Sequence, residues 1–253
     1  EKIKKKKKKG KKIQKYIIGA LLASPMLASA ATSYNLSSDF SNTNNPNGAW
    51  SFLQGTTLLA SQIPLNNGNP LYPATTSGYF STGPNLNVDT PDVIKTAVSG
   101  SSAGETDTDF LAGDVIIHSP NSGDPLFVVW TAPNDGIVDF TSDIWYAHST
   151  VNRSNEASIS FGGSFLGSAT ISNASYGDRT NPWHISGDDL AVVAGDTLSF
   201  AFTKSAGQSF GSLDGINVDI SFTSAVPEPE TYAMLLAGLG LLGLAIRRRN
   251  QTI

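Results

Sequence analysis

Carboxylates are the most abundant side chains of chemical consequence in the middle of this 253-residue chain. Asp107, Asp109 and Asp114 crowd around the stretch from Phe110 to Gly113, Asp188 and Asp189 are adjacent, and Asp196 and Asp214 follow. Hard oxygen ligands close in sequence are what Ca2+ requires, since the ion takes roughly six to eight oxygens, some from backbone carbonyls. A structural Ca2+ held by Asp107, Asp109, Asp114, Asp188 or Asp189 is therefore one reading. EF-hand spacing is absent, and solvated turn residues, where Asp is favoured by its local hydrogen bonds, are the other. Aromatic side chains form the second candidate set. Trp50, Trp130, Trp145 and Trp183 all lie in the central region. Trp130 follows Phe127, Val128 and Val129 and reads as core, whereas Trp145-Tyr146 and the segment Asn181 to His184 fall nearer predicted loops. Sugar rings stack on exposed aromatic faces while Asp and Asn fix their hydroxyls. Trp183 with Tyr176 and Asp178 is the best such patch in the sequence; the competing reading is core or rim packing.

Several chemistries are excluded. The chain has no Cys, so disulfides and thiol nucleophiles are absent. His118, His148 and His184 share no ligand spacing and read as structural or surface residues. No HExxH, GxSxG, P-loop or GxGxxG pattern occurs. Glu is scarce centrally, with only Glu105 and Glu156. Paired carboxylates for glycoside hydrolysis would have to be Asp, and nothing singles out a pair. The sequence thus reads as non-enzymatic.

Charge is segregated. The total of -4 hides a basic N-terminus from Lys2 to Lys15 and a terminal cluster at Arg247, Arg248 and Arg249. From Thr32 to Ala225 only Lys95, Arg153, Arg179 and Lys204 oppose 18 acidic residues, a net charge of -14. Such a surface repels nucleic acid, which needs a basic face.

The elements that must position these residues are short. Apolar or alternating runs recur between Gly, Asn, Asp and Pro, and no long stripe of helical period appears. Predicted strands are Ala49 to Leu53, Thr57 to Ile63, Val93 to Val98, Val115 to His118, Leu126 to Thr131, Gly136 to Tyr146, Ala157 to Phe161, Ser164 to Ile171, Leu190 to Val193, Thr197 to Thr203 and Ile216 to Phe222. Leu198, Phe200 and Phe202 share one face, as do Ile216, Val218, Ile220 and Phe222. Pro133 to Gly136, Phe161 to Ser164 and Ala194 to Asp196 read as tight reversals. From Leu65 to Asn87 the chain is rich in Asn, Gly, Pro and Thr, and a long loop with a short strand is expected. The fold class is all-β, an antiparallel β-sandwich of jelly-roll type.

The two ends read as addresses. The basic stretch, the apolar run from Ile17 to Leu27 and the small residues Ala28-Ser29-Ala30 make a secretory signal of residues 1–30, with Ala28 and Ala30 at the signal peptidase site. The exported domain is residues 31–225. After Val226-Pro227-Glu228-Pro229 comes an apolar run, Tyr232 to Ile246, YAMLLAGLGLLGLAI, that ends at the three Arg. It reads as a short transmembrane helix with the Arg on the cytoplasmic side, although its 15 residues rise only about 22 Å against a hydrocarbon core of about 30 Å.

Residues 226–249, with Val226, Pro227, Glu228 and Pro229, the short apolar helix and the Arg cluster, resemble the PEP-CTERM sorting signal of Gram-negative bacteria that make exopolysaccharide. The resemblance implies recognition at Pro227 to Pro229 by a membrane-embedded exosortase, retention by Arg247, Arg248 and Arg249, a transient stay at the inner membrane, and then release to the cell surface or extracellular matrix. The series VVWTAPNDGIVDFTSDI, GGSFLGSATI, VVAGDTLSFAFT and DGINVDISFT, with the opening from Ser37 to Phe52, resembles the sandwich of exported PEP-CTERM proteins, itself similar to jelly-roll carbohydrate-binding modules. That implies exopolysaccharide as a partner and, in such modules, structural Ca2+. A purely structural matrix protein and an extracellular glycan hydrolase are the alternatives.

Overall fold

The computed structural model describes residues 30–41, 43–62, 77–80, 90–96, 109–148, 151–225 and 229–250. Its strands are β1 (Ala31–Asn35), β2 (Trp50–Gln54), β3 (Thr57–Leu58), β4 (Ala60–Gln62), β5 (Ser77–Phe80), β6 (Asp92–Lys95), β7 (Val115–His118), β8 (Leu126–Thr131), β9 (Gly136–Tyr146), β10 (Ser154–Phe161), β11 (Ser164–Ser172), β12 (Trp183–Val192), β13 (Thr197–Lys204) and β14 (Leu213–Ser224). One helix, α1 (Pro229–Asn250), follows.

Two antiparallel sheets share the strands. The eight-stranded sheet runs β12-β9-β14-β7-β6-β5-β4, with β1 also on β14, and the six-stranded sheet runs β11-β10-β13-β8-β2-β3. From β7 onward the chain passes repeatedly from one sheet to the other, as in a jelly roll. Sequence alternation becomes burial. Leu198, Phe200 and Phe202 of β13, Leu126, Val128 and Trp130 of β8, and Ile216, Val218, Ile220 and Phe222 of β14 all face the inter-sheet core. Burying such a side chain contributes about 1.5–3 kcal/mol each. Trp130 is fully buried and meets Tyr34 edge-on at 5.6 Å and Phe222 at 6.0 Å between ring centroids. Gly162 and Gly163 take φ of 53° and 79°, the double left-handed turn that a two-residue hairpin between β10 and β11 needs.

Most strands fall where alternation predicts them, and β7, β8 and β9 match residue for residue. The run Thr57 to Ile63 divides into β3 and β4. β12 begins at Trp183, seven residues before its predicted start at Leu190, so Trp183 and His184 are strand and not loop. The reason is a bulge: β12 slips register against β9 between Gly187 and Leu190, which breaks the period on which the reading relied. Within the long loop expected from Leu65 to Asn87, β5 pairs with β4 and β6, and the remainder lies outside the described residues. The secretory signal lies there too, apart from Ala30.

The transmembrane helix is corrected. No helix among the described residues is long and apolar enough to cross a membrane. α1 spans 22 residues, but Pro229 and Glu230 open it and Arg247 to Asn250 close it, which leaves too short an apolar stretch for the hydrocarbon core. Met234, Leu236 and Leu241 are 75%, 68% and 69% exposed, and none of the described α1 side chains joins the buried core. Residues 31–225 therefore supply their own core.

Candidate functional site on the outward face of the eight-stranded sheet

Strand alternation points one set of residues away from the core. On β9 the outward set is Asp139, Thr141, Asp143 and Trp145, and on β14 it is Gly215, Asn217 and Asp219. Antiparallel register pairs Trp145 with Gly215, Asp143 with Asn217 and Thr141 with Asp219. β1 brings Asn35 opposite Asp219, and β12 brings His184 opposite Asp143. Asn35 Nδ2 donates to Asp219 at 2.8 Å, and His184 Nδ1 lies 2.7 Å from Asp143. The outcome is a polar track along two central strands.

An aromatic platform ends the track. Gly215 leaves room for the Trp145 indole: a Cβ at Gly215 would come within 2.1 Å of the ring. Arg179, from the β11–β12 connection, lies over that indole with its guanidinium carbon 5.0 Å from the ring centroid. Its Nε donates to Asp109 at 2.7 Å and its Nη2 to Asp114 at 2.6 Å. The Arg179 backbone N–H also donates to Asp109, at 2.7 Å, and Trp145 Nε1 donates to the Asp109 carbonyl at 2.9 Å. Partial burial works against the Arg179 charge, but the hydrogen bonds and fields of Asp114 and Asp109 outweigh it and raise its pKa. Beside the platform, on the same side of the sheet, Ile94, Phe110, Ile116, Ala147 and Leu213 form a second, smaller buried cluster. Apolar packing thus anchors the loop that carries Asp109 and Asp114.

Two clefts lie along this face. One of about 290 Å³ is lined by Asp114, Asp143, Trp145, Arg179 and Asn217. The other, of about 280 Å³, is lined among others by Asn35, Asp139, Thr141, Asp188 and Asp219. With the indole covered, the Arg179 guanidinium beside the carboxylate and amide groups of this face suits a polyhydroxylated ligand, since these groups donate to and accept from hydroxyls.

The residues singled out in the sequence are placed as follows. Asp109 and Asp114 meet, but across the Arg179 guanidinium, which a divalent cation would have to displace. Asp107 lies outside the described residues. Asp188 and Asp189 are the bulged pair of β12, Asp189 at φ 54° with its N–H on Asp139 at 2.7 Å. Among the described residues no group of three or more His, Asp or Glu is arranged to hold a metal. Tyr176 and Trp183 both pack against the main core. Asp178 is exposed and accepts from the Thr180 N–H and hydroxyl at 2.7 and 2.6 Å, bonds that hold its carboxyl below the usual range. Trp145, placed by sequence near a loop, is 4% exposed. Val226, Pro227 and Glu228 lie outside the described residues, Pro229 opens α1, and Arg247 to Arg249 lie in its last turn. Arg179 was missed. Its signal was its rarity, as one of two Arg between Thr32 and Ala225.

Two of the three His are buried in a separate polar network at one end of the sandwich. The His118 and His148 rings are 6.3 Å apart between centroids, and Asn155 Nδ2 donates to Asp214 at 2.7 Å and to the Ser212 carbonyl at 3.0 Å. Burial, followed by the field of Arg153, lowers His118 to about 4, its bond to the Ser119 carbonyl opposing. Burial, then His118 and Arg153, lowers His148 to about 3. Burial pushes the Asp214 carboxyl well up.

Comparisons with known proteins bear on both parts of the chain. No curated protein matches it. Among solved structures, the sandwich is similar to the CBM51 domain of a Clostridium perfringens GH95 protein in complex with methyl-galactose, with 12% identity over 76% of this chain and 100% of that one and a TM-score of 0.35. It is also similar to a cleaved adhesin domain of Lys-gingipain from Porphyromonas gingivalis, with 10% identity over 77% and 99% of the two chains and a TM-score of 0.34. The xylan-binding domain CBM22-1 of Paenibacillus barcinonensis is 8% identical over 79% and 98%, again with a TM-score of 0.34. At the other end of the chain, residues 225–249 match the family model described as the PEP-CTERM protein-sorting motif. An all-β antiparallel sandwich followed by a PEP-CTERM sorting motif is what this chain encodes.

Proposed function

We propose that this protein is exported, processed at its C-terminus by an exosortase and delivered to the cell surface or extracellular matrix, where its sandwich binds or organises exopolysaccharide without catalysing a reaction. Export and processing rest on the sorting motif at residues 225–249. One observation carries the binding reading: Trp145 stacked under Arg179 at the head of a track of Asp143, Asn217, Thr141 and Asp219. Arg179 positions the platform, and the exposed Asp143 and Asn217 contact sugar hydroxyls directly.

Residues 31–225 applied to an array of bacterial polysaccharides test the reading. Selective binding is expected, with Asp143→Ala and Asn217→Ala each weakening it about tenfold while the melting temperature holds, a change equivalent to about 1.4 kcal/mol. A folded domain that binds no polysaccharide, or that binds equally well with both residues removed, would overturn it. Mass spectrometry of the surface-exposed protein tests processing: the chain should lack α1, and deletion of Pro227 to Pro229 should leave α1 attached.

A further inference from the structure

A third cleft, of about 250 Å³, meets the outward-face pair at β1. Asp39, Asn47, Gly48 and Trp50 line it with Ser33 and Tyr34, and those two β1 residues also line the cleft that holds Asp139, Asp188 and Asp219. Its wall is braced. Asn47 and Trp50 exchange backbone hydrogen bonds at 2.9 and 3.0 Å, with Gly48 between them at φ 56°. Trp50 Nε1 donates to Asp39 at 3.2 Å, and Asn47 Nδ2 donates to the Asp39 carbonyl at 2.9 Å. A wall fixed before binding loses little freedom when a ligand arrives.

The three clefts follow one path. Asn217 lies in the Trp145 cleft and Asp219 in the next, and Ser33, which pairs with Ser221, joins that one to the Trp50 cleft. The stretch of β14 from Gly215, beneath Trp145, to Ser221 covers about 20 Å at the rise of a strand. Each cleft is smaller than the roughly 300 Å³ at which pockets begin to enclose a small molecule, so none grips a lone sugar firmly. A chain that reaches from one cleft to the next engages each further cleft without a fresh association cost. Charge narrows the chain. Asp39, Asp139, Asp188 and Asp219 line the Asp219 and Trp50 clefts, with no Lys or Arg among the described residues lining them. Arg179, in the Trp145 cleft, is already bonded to Asp109 and Asp114. Anionic groups on a chain in these clefts lie within a screening length, about 8–10 Å, of the carboxylates and are repelled.

We propose that the site takes a non-anionic glycan chain of several units lying across all three clefts, with the cleft at Asn47 and Trp50 as its outermost subsite. This inference rests on the glycan-binding reading and adds the length and charge of the chain. Neutral and amino-bearing sugars share the hydroxyls that Asn35, Thr141 and Asn217 contact along the path, and uronate chains are turned away by the carboxylates.

Calorimetric titration of residues 31–225 reads the effect. The probes are size-graded acid hydrolysates of the polysaccharides retained on the array, with galacturonate oligomers of the same lengths as the anionic chain. Affinity should rise about tenfold or more from disaccharide to hexasaccharide, and the galacturonate oligomers should not bind. Ser33 is exposed on β1, and Ser33→Ile fills the junction with the Trp50 cleft with a side chain that strands favour. Hexasaccharide binding should weaken about tenfold, with disaccharide binding and melting unchanged. Amide NMR needs no substitution: the hexasaccharide should shift Gly48 and Asn217 in one titration. Retention of no polysaccharide overturns the glycan-binding reading and this inference with it. Equal affinity for disaccharide and hexasaccharide, a preference for anionic chains, hexasaccharide binding unmoved by Ser33→Ile, or shifts that spare Gly48 would each overturn this inference alone.

Discussion

The two outward faces of this sandwich are made by the same alternation, yet they differ in kind. On the six-stranded sheet the outward residues include Ser158, Ser160, Ser199, Thr197 and Thr203, with Glu156 bonded to Thr170 at 2.9 Å and to Ser205 at 2.7 Å. On the eight-stranded sheet they are Asp139, Asp143, Trp145, Asn217 and Asp219, and loops return to cover and brace them. On the six-stranded sheet strand alternation yields a surface of hydroxyls with half-buried Leu53, Phe127 and Val129 among them. Relief and a braced aromatic platform appear where distant segments fold back, here the Asp109–Asp114 loop and the β11–β12 connection.

Acidification should separate the two sheets most strongly. His118 and His148 have folded pKa values of about 4 and 3, below the ordinary 6.5. The unfolded chain therefore binds more protons below pH 6.5, and stability is full above that value and falls as pH drops toward 3. His118 alone should account for about 3 kcal/mol between pH 7 and 4. Urea melts across that range check the loss, and amide exchange at pH 4 should rise first in β7 and at the start of β14, with β10 and β13 following. Equal exchange in both sheets would erase the distinction. Asp214 has the opposite sign: its raised pKa lowers stability as pH climbs above 3.8. Asp214→Asn should therefore stabilise the domain at pH 7 and have no effect near pH 3, as paired urea melts would show.

Packing gives the next effect. Gly215→Ala places a Cβ 2.1 Å from the Trp145 ring, and displacing the indole should cost about 3 kcal/mol and abolish glycan binding. Ser199→Ala, its counterpart on the six-stranded sheet, should stay within about 0.5 kcal/mol. Denaturant titration of the pair measures the contrast directly. The smallest effect concerns the brace. Arg179→Ala leaves Asp109 and Asp114 facing each other, but these side chains are 26% and 21% exposed, so a loss of about 1 kcal/mol is expected. Binding should fall more than stability. An Arg179→Lys variant keeps the charge without the planar stack and should restore the melting temperature better than the affinity.

Much was legible in the residues. The period-2 runs of β13 and β14, the Gly162-Gly163 turn and the sorting motif are local patterns, each set by neighbours a few positions apart. Length was a weaker guide at the C-terminus, where a 15-residue apolar run suggested a span and α1 proved too short in its apolar part to cross. The clustered Asp suggested a cation, and the structure supplies one from Arg179, 65 and 70 residues away.

By itself the sequence determined the class of fold, the in-or-out sense of most strands and the C-terminal address, because a pleated strand turns side chains over every second residue and a sorting signal is read as a linear segment. Only the tertiary structure decided that Trp145 lies on Gly215, that Arg179 bridges Asp109 and Asp114, and that Asp188 and Asp189 occupy a bulge. Those contacts depend on which strand edges pair and where loops return, and a short stretch of chain holds no record of either.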